Sequence, residues 1–325
     1  MFKFYLCLCI AIFAVILICP LFSLSSVSNA ANLDTKITEQ AVVPDNTVKV
    51  MLSKNNSVAT VSDFDYVLGS VAAEMPAYYE KEALKAQAVV CYTYAVLMRN
   101  NAKTDPDLTL NGAYLSDDRT VQQGYLSKEE LQKKWGSKYN EYYKNISEAV
   151  KEVTGQVITY NDKPISPKFH EISAGKTENA EVVWGKPIPY LTTVLSIGDR
   201  LSPDYSSTVI LKPEAFKNYA KKLNITLTGN PASWLGKIEK SDAGTVENIT
   251  VGNTTVTGMQ MRDAFNLNSL VFSIKYNGNN FTVTTLGKGH NVGMSQYGAD
   301  YMARQGSKYD EILMHYYKGT KIIAQ

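Results

Sequence analysis

Glu74 is an acidic residue in apolar company beside a helix break. It lies in Val71–Tyr94, VAAEMPAYYEKEALKAQAVVCYTY, with Val71, Ala72 and Ala73 before it and Met75 and Pro76 after it. A carboxyl group in such company loses hydration in its charged form, which raises its pKa toward the range useful to a general acid at neutral pH. The competing reading is a solvated helix-end charge, the commoner fate of a Glu beside a Pro. Other chemistries find less material. The three His, His170, His290 and His315, stand in no close ligand spacing, so a zinc site would have to assemble from distant positions. No GxSxG elbow or phosphate-cradling glycine loop occurs in the right context. What remains is one placed carboxylate, two polar loops led by His170 and His290, and 21 Tyr. Amphipathic rings suit a wet groove, because they stack while their hydroxyls bond. The set fits acid/base work on a glycan better than metal-dependent or nucleophilic chemistry.

The elements around Glu74 can be read from caps and breakers. Ser62-Asp63-Phe64-Asp65 starts a helix running toward Glu74, and Pro76 biases Met75 away from helical geometry and ends it. A second helix follows from about Glu80 to Asn100, which puts Glu74 at the corner between the two. On that second helix Leu84, Ala88, Cys91 and Ala95 recur at spacings of 4, 3 and 4, so Cys91 reads as a small core residue. Residues 101–125 form a polar loop long enough to bind something or to move. Ser127 with Glu130 caps a helix continuing to about Val153. Thr47–Leu52 with Ser57–Val61, and Gln156–Tyr160 with Pro164–His170, read as hairpins, the latter feeding the polar run Glu171–Glu178. Val182–Leu195 reads as extended. Residues 196–245 are the least legible, with a helix at Pro213–Lys222. Strands follow at Val246–Val251 and Thr254–Thr257, then a helix at Met259–Phe265 and a hairpin of Leu270–Tyr276 and Phe281–Leu286. A last helix is capped by Ser307 and Asp310 and closed by Gly319. Helices and antiparallel hairpins segregate along the chain, which predicts an α+β fold, a single large catalytic domain with a cleft.

With 325 residues, 45% hydrophobic and 20% charged, the chain can bury a sizeable core. Its net charge is +2, and Lys3 is the sole charge before residue 31, so 2 − 1 leaves +1 for the remainder. No basic field points to nucleic acid. Phe4–Phe22 is an uncharged apolar run followed by Ser28-Asn29-Ala30, a small-x-small cleavage pattern. Residues 1–30 therefore read as a signal peptide or a membrane anchor, 31–46 as a linker, and 47–325 as a domain delivered outside the cytoplasm. Cys7, Cys9 and Cys19 lie in the apolar run, so Cys91 has no disulfide partner in the exported part.

Three stretches carry a family resemblance: VAAEMPAYYEKEALKAQAVVCYTYA, KFHEISAGKTE and GKGHNVGMSQYGADYMARQGSKYDEILMHYYKGT. They resemble the three signature blocks of the stage II sporulation protein D family, in that family's order and spacing, over roughly residues 47–320. The resemblance implies a peptidoglycan lytic transglycosylase that needs no cofactor or metal, with Glu74 of the EMP motif as its acid/base. Gln87, Tyr92, Ser173, Lys176, Thr177, Glu178, His290, Gln296 and Tyr297, clustered in the three blocks, are the candidates for holding the glycan. It further implies glycan strands stripped of stem peptides as substrate, attachment to the membrane through the N-terminal segment, and work with stage II sporulation proteins P and M during engulfment. Because amidase enhancers are related, the alternative is a non-catalytic glycan binder that stimulates a cell-wall amidase. The chain departs from the family pattern at Tyr92, where an Arg is usual, and at Ala174 and Asn291, where glycines are usual. It also lacks the metal-binding Cys that some members carry near residues 115–125.

Overall fold

A 24-residue helix, α2 (Lys81–Thr104), runs through the centre of the fold and explains why its sequence is so poor in charge midway. Six consecutive residues, Ala86 to Cys91, are buried, because neighbours cover the helix on nearly every side. Those neighbours are α1 (Asp63–Glu74), α4 (Tyr139–Glu152), β4 (Gln156–Tyr160), α8 (Gln296–Arg304) and α9 (Tyr309–Tyr316). In this computed structural model the described residues are 46–325, so the apolar segment 1–30 and nearly all of the linker 31–46 lie outside them. Among the described residues no helix is long and apolar enough to cross a membrane.

The α+β reading holds. A hairpin of β1 (Thr47–Leu52) and β2 (Ser57–Ser62) precedes α1, and β3 (Leu115–Ser116) adds to β1 in parallel. Ser62 caps α1 by accepting from the Asp65 N–H at 3.0 Å. At the other end Met75 turns extended, φ −120° and ψ 144°, ahead of Pro76. Glu74 is thus the last residue of α1, at the corner before α2. Ser127 and Glu130 form a capping box on α3 (Lys128–Trp135). The single helix expected to Val153 is two, because Gly136 takes φ 51° and breaks the run before α4.

Asn161 and Asp162, at φ 50° and 61°, make the two-residue turn joining β4 to β5 (Lys163–Pro164). The hairpin expected to reach His170 stops there. Phe169–His170, β6, instead pairs in parallel with β13 (Met294–Ser295), and β14 (Lys321–Ala324) takes the free edge of β4. The stretch expected to be extended opens with a short helix, α5 (Ala180–Trp184). The last helix, α9, begins one residue beyond the expected cap: the Lys308 N–H donates to the Glu311 carboxylate at 2.8 Å.

Residues between the second and third motif blocks build a second core. There β7 (Ser206–Leu211), β11 (Val271–Tyr276) and β12 (Phe281–Leu286) form one antiparallel sheet, and β8 (Leu235–Lys240), β9 (Val246–Val251) and β10 (Thr254–Thr257) another. Helices α6 (Pro213–Lys221) and α7 (Gly258–Phe265) belong to this core. At its centre Phe216 stacks on Phe281, centroids 4.1 Å apart, with Trp234 parallel to Phe281 at 5.8 Å. The main core gathers around α2, where Leu84, Ala88, Cys91 and Ala95 are all buried as one face. Burial pushes the Cys91 thiol far above its ordinary range.

Candidate active site

The turn at Met75-Pro76 leaves the Glu74 side chain at the wall of a cleft of about 700 Å³. Its side chain is 11% exposed. The sequence offers an acid in apolar company, but the fold adds two polar partners. One carboxylate oxygen accepts from the Gly124 N–H at 2.7 Å, and the other pairs with the Arg119 guanidinium at 3.0 Å. Both contacts come from the polar loop 101–125, which forms one side of the site.

That loop is held by its own turn chemistry. The Asp118 carboxylate accepts from both the backbone N–H and the hydroxyl of Thr120, at 2.8 and 2.7 Å, in an Asx turn that carries Arg119 between them. The Ser53 N–H donates to Asp117, and the Ser116 N–H to the Gln122 side chain. Beyond Arg119, Tyr125 stacks on Tyr66 of α1 at 5.7 Å. Gly124 has no room for a side chain, since a Cβ there would stand 2.6 Å from Arg119 Cγ and 2.7 Å from Glu74 Oε1. Arg119, the one Arg in the loop, was not singled out by sequence; the D-x-T turn around it was the available signal.

The cleft is lined further by Tyr78, Tyr79, Lys134, Trp135, Tyr142, Gln296, Tyr297, Asp300 and Arg304. Lys134 reaches in from α3, and its ammonium donates to the Ala72 carbonyl at 2.8 Å. Desolvation and the Arg119 charge hold Lys134 below the ordinary lysine range. Burial, seconded by the Asp300 carboxylate, pushes the Tyr79 phenol up. Arg304 lies over the Tyr297 ring at 5.2 Å while pairing with Asp300. Glu74 and Arg119 also line a second hollow of about 330 Å³ that includes Tyr94, Lys168, Phe169 and His290.

The three motif blocks meet behind this groove. Gln296 donates to Gln87 at 3.3 Å across buried space, and the Tyr297 N–H donates to the Glu171 carbonyl at 3.0 Å. Ser173 and Ser295 both donate to the fully buried Asp199 carboxylate. Burial raises the Asp199 carboxyl above its usual range, against those hydroxyls. The Ser295 hydroxyl also accepts from the Gly298 N–H and so caps α8, the helix that presents Gln296 and Tyr297.

Of the residues singled out by sequence, Glu74, Gln296 and Tyr297 line the cleft and His290 lines the second hollow. Gln87 is buried just behind. Ser173, Thr177 and Glu178 are buried in contacts of their own: Thr177 accepts from the Val194 N–H at 2.9 Å, and Glu178 accepts from the Ser241 hydroxyl. Lys176 bridges to Leu195 through its backbone. Tyr92 lines neither hollow and lies instead beside Asp63, Phe64 and Thr154. An Arg at that position would meet Asp63, which here pairs with Arg99 at 3.2 Å.

Asn291 sits at φ 68°, the left-handed geometry expected of it, and its side-chain oxygen accepts from the Ala174 N–H. In the neighbouring loop the positive φ falls on Gly175, at 95°, and not on Ala174. Gly293 is required by close approach, because a Cβ would stand 2.0 Å from the Lys168 carbonyl. His170 donates its Nδ1 proton to the Val292 carbonyl at 3.1 Å, and its buried Nε2 has no hydrogen-bond partner among the described residues. Burial pushes His170 down to about 4 and His290, beside it, down to about 3. Among the described residues no three His, Cys, Asp or Glu converge to hold a metal ion.

A family model described as Stage II sporulation protein matches residues 52–160. The chain is 41% identical over 278 residues to stage II sporulation protein D of Bacillus subtilis (strain 168), covering 85% of this chain and 78% of that protein. It is 40% identical over 277 residues to the protein of the same name from Bacillus amyloliquefaciens, with the same coverage. A more distant likeness, 25% identity over 304 residues, is to the amidase enhancer of Bacillus subtilis, covering 78% of this chain and 40% of that protein.

Proposed function

This chain belongs to the stage II sporulation protein D family, and on that footing we propose that it is a peptidoglycan lytic transglycosylase with Glu74 as its sole acid and base. The observation that carries the reading is Glu74 itself, a carboxylate in the wall of two hollows, the larger of which is lined by Tyr78, Tyr79, Trp135, Tyr142 and Tyr297. Such rings give sugar faces a surface to stack on. In this mechanism Glu74 protonates the oxygen between MurNAc and GlcNAc, and the bond to the muramyl C1 breaks. The resulting carboxylate takes the proton of the muramyl C6 hydroxyl, whose oxygen closes on C1 to give the 1,6-anhydro ring. One proton leaves Glu74 and one returns, so no water is consumed. One carboxylate suffices because the sugar supplies its own nucleophile, unlike the two-carboxylate glycosidases. The Gly124 N–H and Arg119 stabilise the carboxylate stage of this cycle.

The same reading places the protein at the outer face of the membrane through residues 1–30, working on denuded glycan strands with stage II sporulation proteins P and M. Replacing Glu74 by Gln tests it. The E74Q variant, incubated with denuded glycan, is expected to release anhydro-muramyl ends at least about a thousandfold more slowly by mass spectrometry, since a general acid and base are both lost. Release at the wild-type rate sinks the assignment. A second reading, a glycan binder that enhances an amidase, is favoured by the engagement of both Glu74 oxygens by Arg119 and Gly124. It predicts no anhydro product from the purified protein and faster hydrolysis when an amidase is added.

A further inference from the structure

One sheet edge of the second core is open in a way its other edges are not. In the sheet β11–β12–β7 the outer strand is β7, whose six residues, SSTVIL, carry no charge and no Pro. Ser206, Thr208, Val209 and Ile210 are exposed, Val209 to 51% and Ile210 to 67%. The remaining edges of this core are guarded against pairing. β8 carries Lys237, Glu239 and Lys240 and two register shifts against β9, β10 has only four residues, and β11 carries Lys275. The direction of the free groups on β7 follows from one hydrogen bond. The Gly287 N–H donates to the Tyr205 carbonyl at 2.7 Å, on the β12 side. Antiparallel alternation then turns the N–H and C=O of Ser206, Thr208 and Ile210 away from β12, to the open edge.

We infer that a second copy of this chain pairs with that edge, β7 against β7 in antiparallel order about a two-fold axis at Thr208. Among the registers the alternation allows, this one engages all three outward residues: Thr208 stands opposite the partner's Thr208, and Ser206 opposite the partner's Ile210. Charge at the flanks of the strand selects the same register. It sets Asp204 opposite the partner's Lys212, once on each side of the axis. Both residues are exposed, and neither joins an ion pair among the described residues, whereas Lys217 is already bound to Glu214. The added strand covers Val209, which lies beside the buried Val283 on the core face of the sheet yet is half open to solvent. Asp204, with Ser202 and Pro203, also lines the Glu74 cleft, so the pairing brings the partner's Lys212 to its rim. The inference stands whether the cleft cuts glycan or only binds it.

Sedimentation equilibrium of the full chain in detergent, over a wide range of concentration, tests it. The wild type is expected to dimerise with a Kd on the order of 10 μM, because one added strand buries less than a standard-size interface. Thr208→Pro removes an outward N–H, twice by symmetry, and leaves the β12 ladder its donors. It is expected to weaken the dimer at least about tenfold. Asp204→Lys and Lys212→Asp, at exposed positions, each set like charges opposite one another and are expected to weaken it by about tenfold as well. Mixing these two charge variants restores opposite charges at both ends of the axis, so the mixture is expected to regain the wild-type Kd. Association through the apolar N-terminal run is blind to all three changes, and a dimer that behaves so overturns the inference. A wild type that is monomeric throughout, which leaves the edge to another protein's strand, overturns it too, as does a mixture no tighter than its components.

Discussion

Gly124 shows how little space surrounds the reacting group. Its φ is ordinary, so an alanine would suit the backbone, but the added Cβ would press on Arg119 and on Glu74 Oε1. Gly124→Ala is therefore expected to shift melting by little while lowering anhydro-product release by about tenfold to a hundredfold, the cost of misplacing a reacting group by an ångström. Asn291 is the opposite case, a residue whose effect falls on the fold. At φ 68° and with its side chain accepting from Ala174, replacement by Ala is expected to cost about 2 kcal/mol, and replacement by Gly less, read from denaturant midpoints. At this scale the sequence was informative where a residue type limits the backbone. It pointed to Glu74 by its neighbours and to Asn291 by its tolerance of left-handed geometry. It could not point to Arg119 as a partner of Glu74, because the two are 45 residues apart and no local pattern links them.

Among the elements, α8 delivers Gln296 and Tyr297 to the cleft from an N-terminus fixed by Ser295 and Asp199. Ser295→Ala removes a helix cap and leaves Asp199 short of one donor inside the protein. A loss of about 2–3 kcal/mol is expected from calorimetry, with KM for glycan rising more than kcat falls, as suits an element that positions binding groups. Caps and two-residue turns were legible in advance: Ser62, the Ser127–Glu130 box, the Asn161-Asp162 turn and the hairpins after residue 245 all lie where local chemistry puts them. Elements that depend on remote partners were not. Phe169–His170 pairs with Met294–Ser295 more than a hundred residues away, and the Phe216–Phe281–Trp234 stack draws on three separate segments. Residues 196–245 were illegible for that reason.

For the whole molecule, the buried imidazole of His170 sets a lower limit of pH. His170 is neutral in the fold, with a pKa pushed down to about 4 from an ordinary value of 6.5. Because the folded value lies below the unfolded one, its stabilising effect is complete above about pH 6.5 and is lost as pH falls toward 4. At about 1.4 kcal/mol per pH unit the loss is on the order of 3 kcal/mol, and His290 adds in the same direction at still lower pH. Melting temperature is expected to fall across that window, and His170→Gln to flatten the fall; an acid limb unchanged by the substitution would rule the imidazole out as its cause. A second consequence follows from the hollow beyond Glu74. Glu74 lines both the larger cleft and this second hollow. Under the proposed transglycosylase activity, a strand occupying both hollows has sugars on either side of the bond at Glu74, so early digests are expected to contain long fragments of broadly scattered length, with the mean strand length collapsing well before disaccharides accumulate.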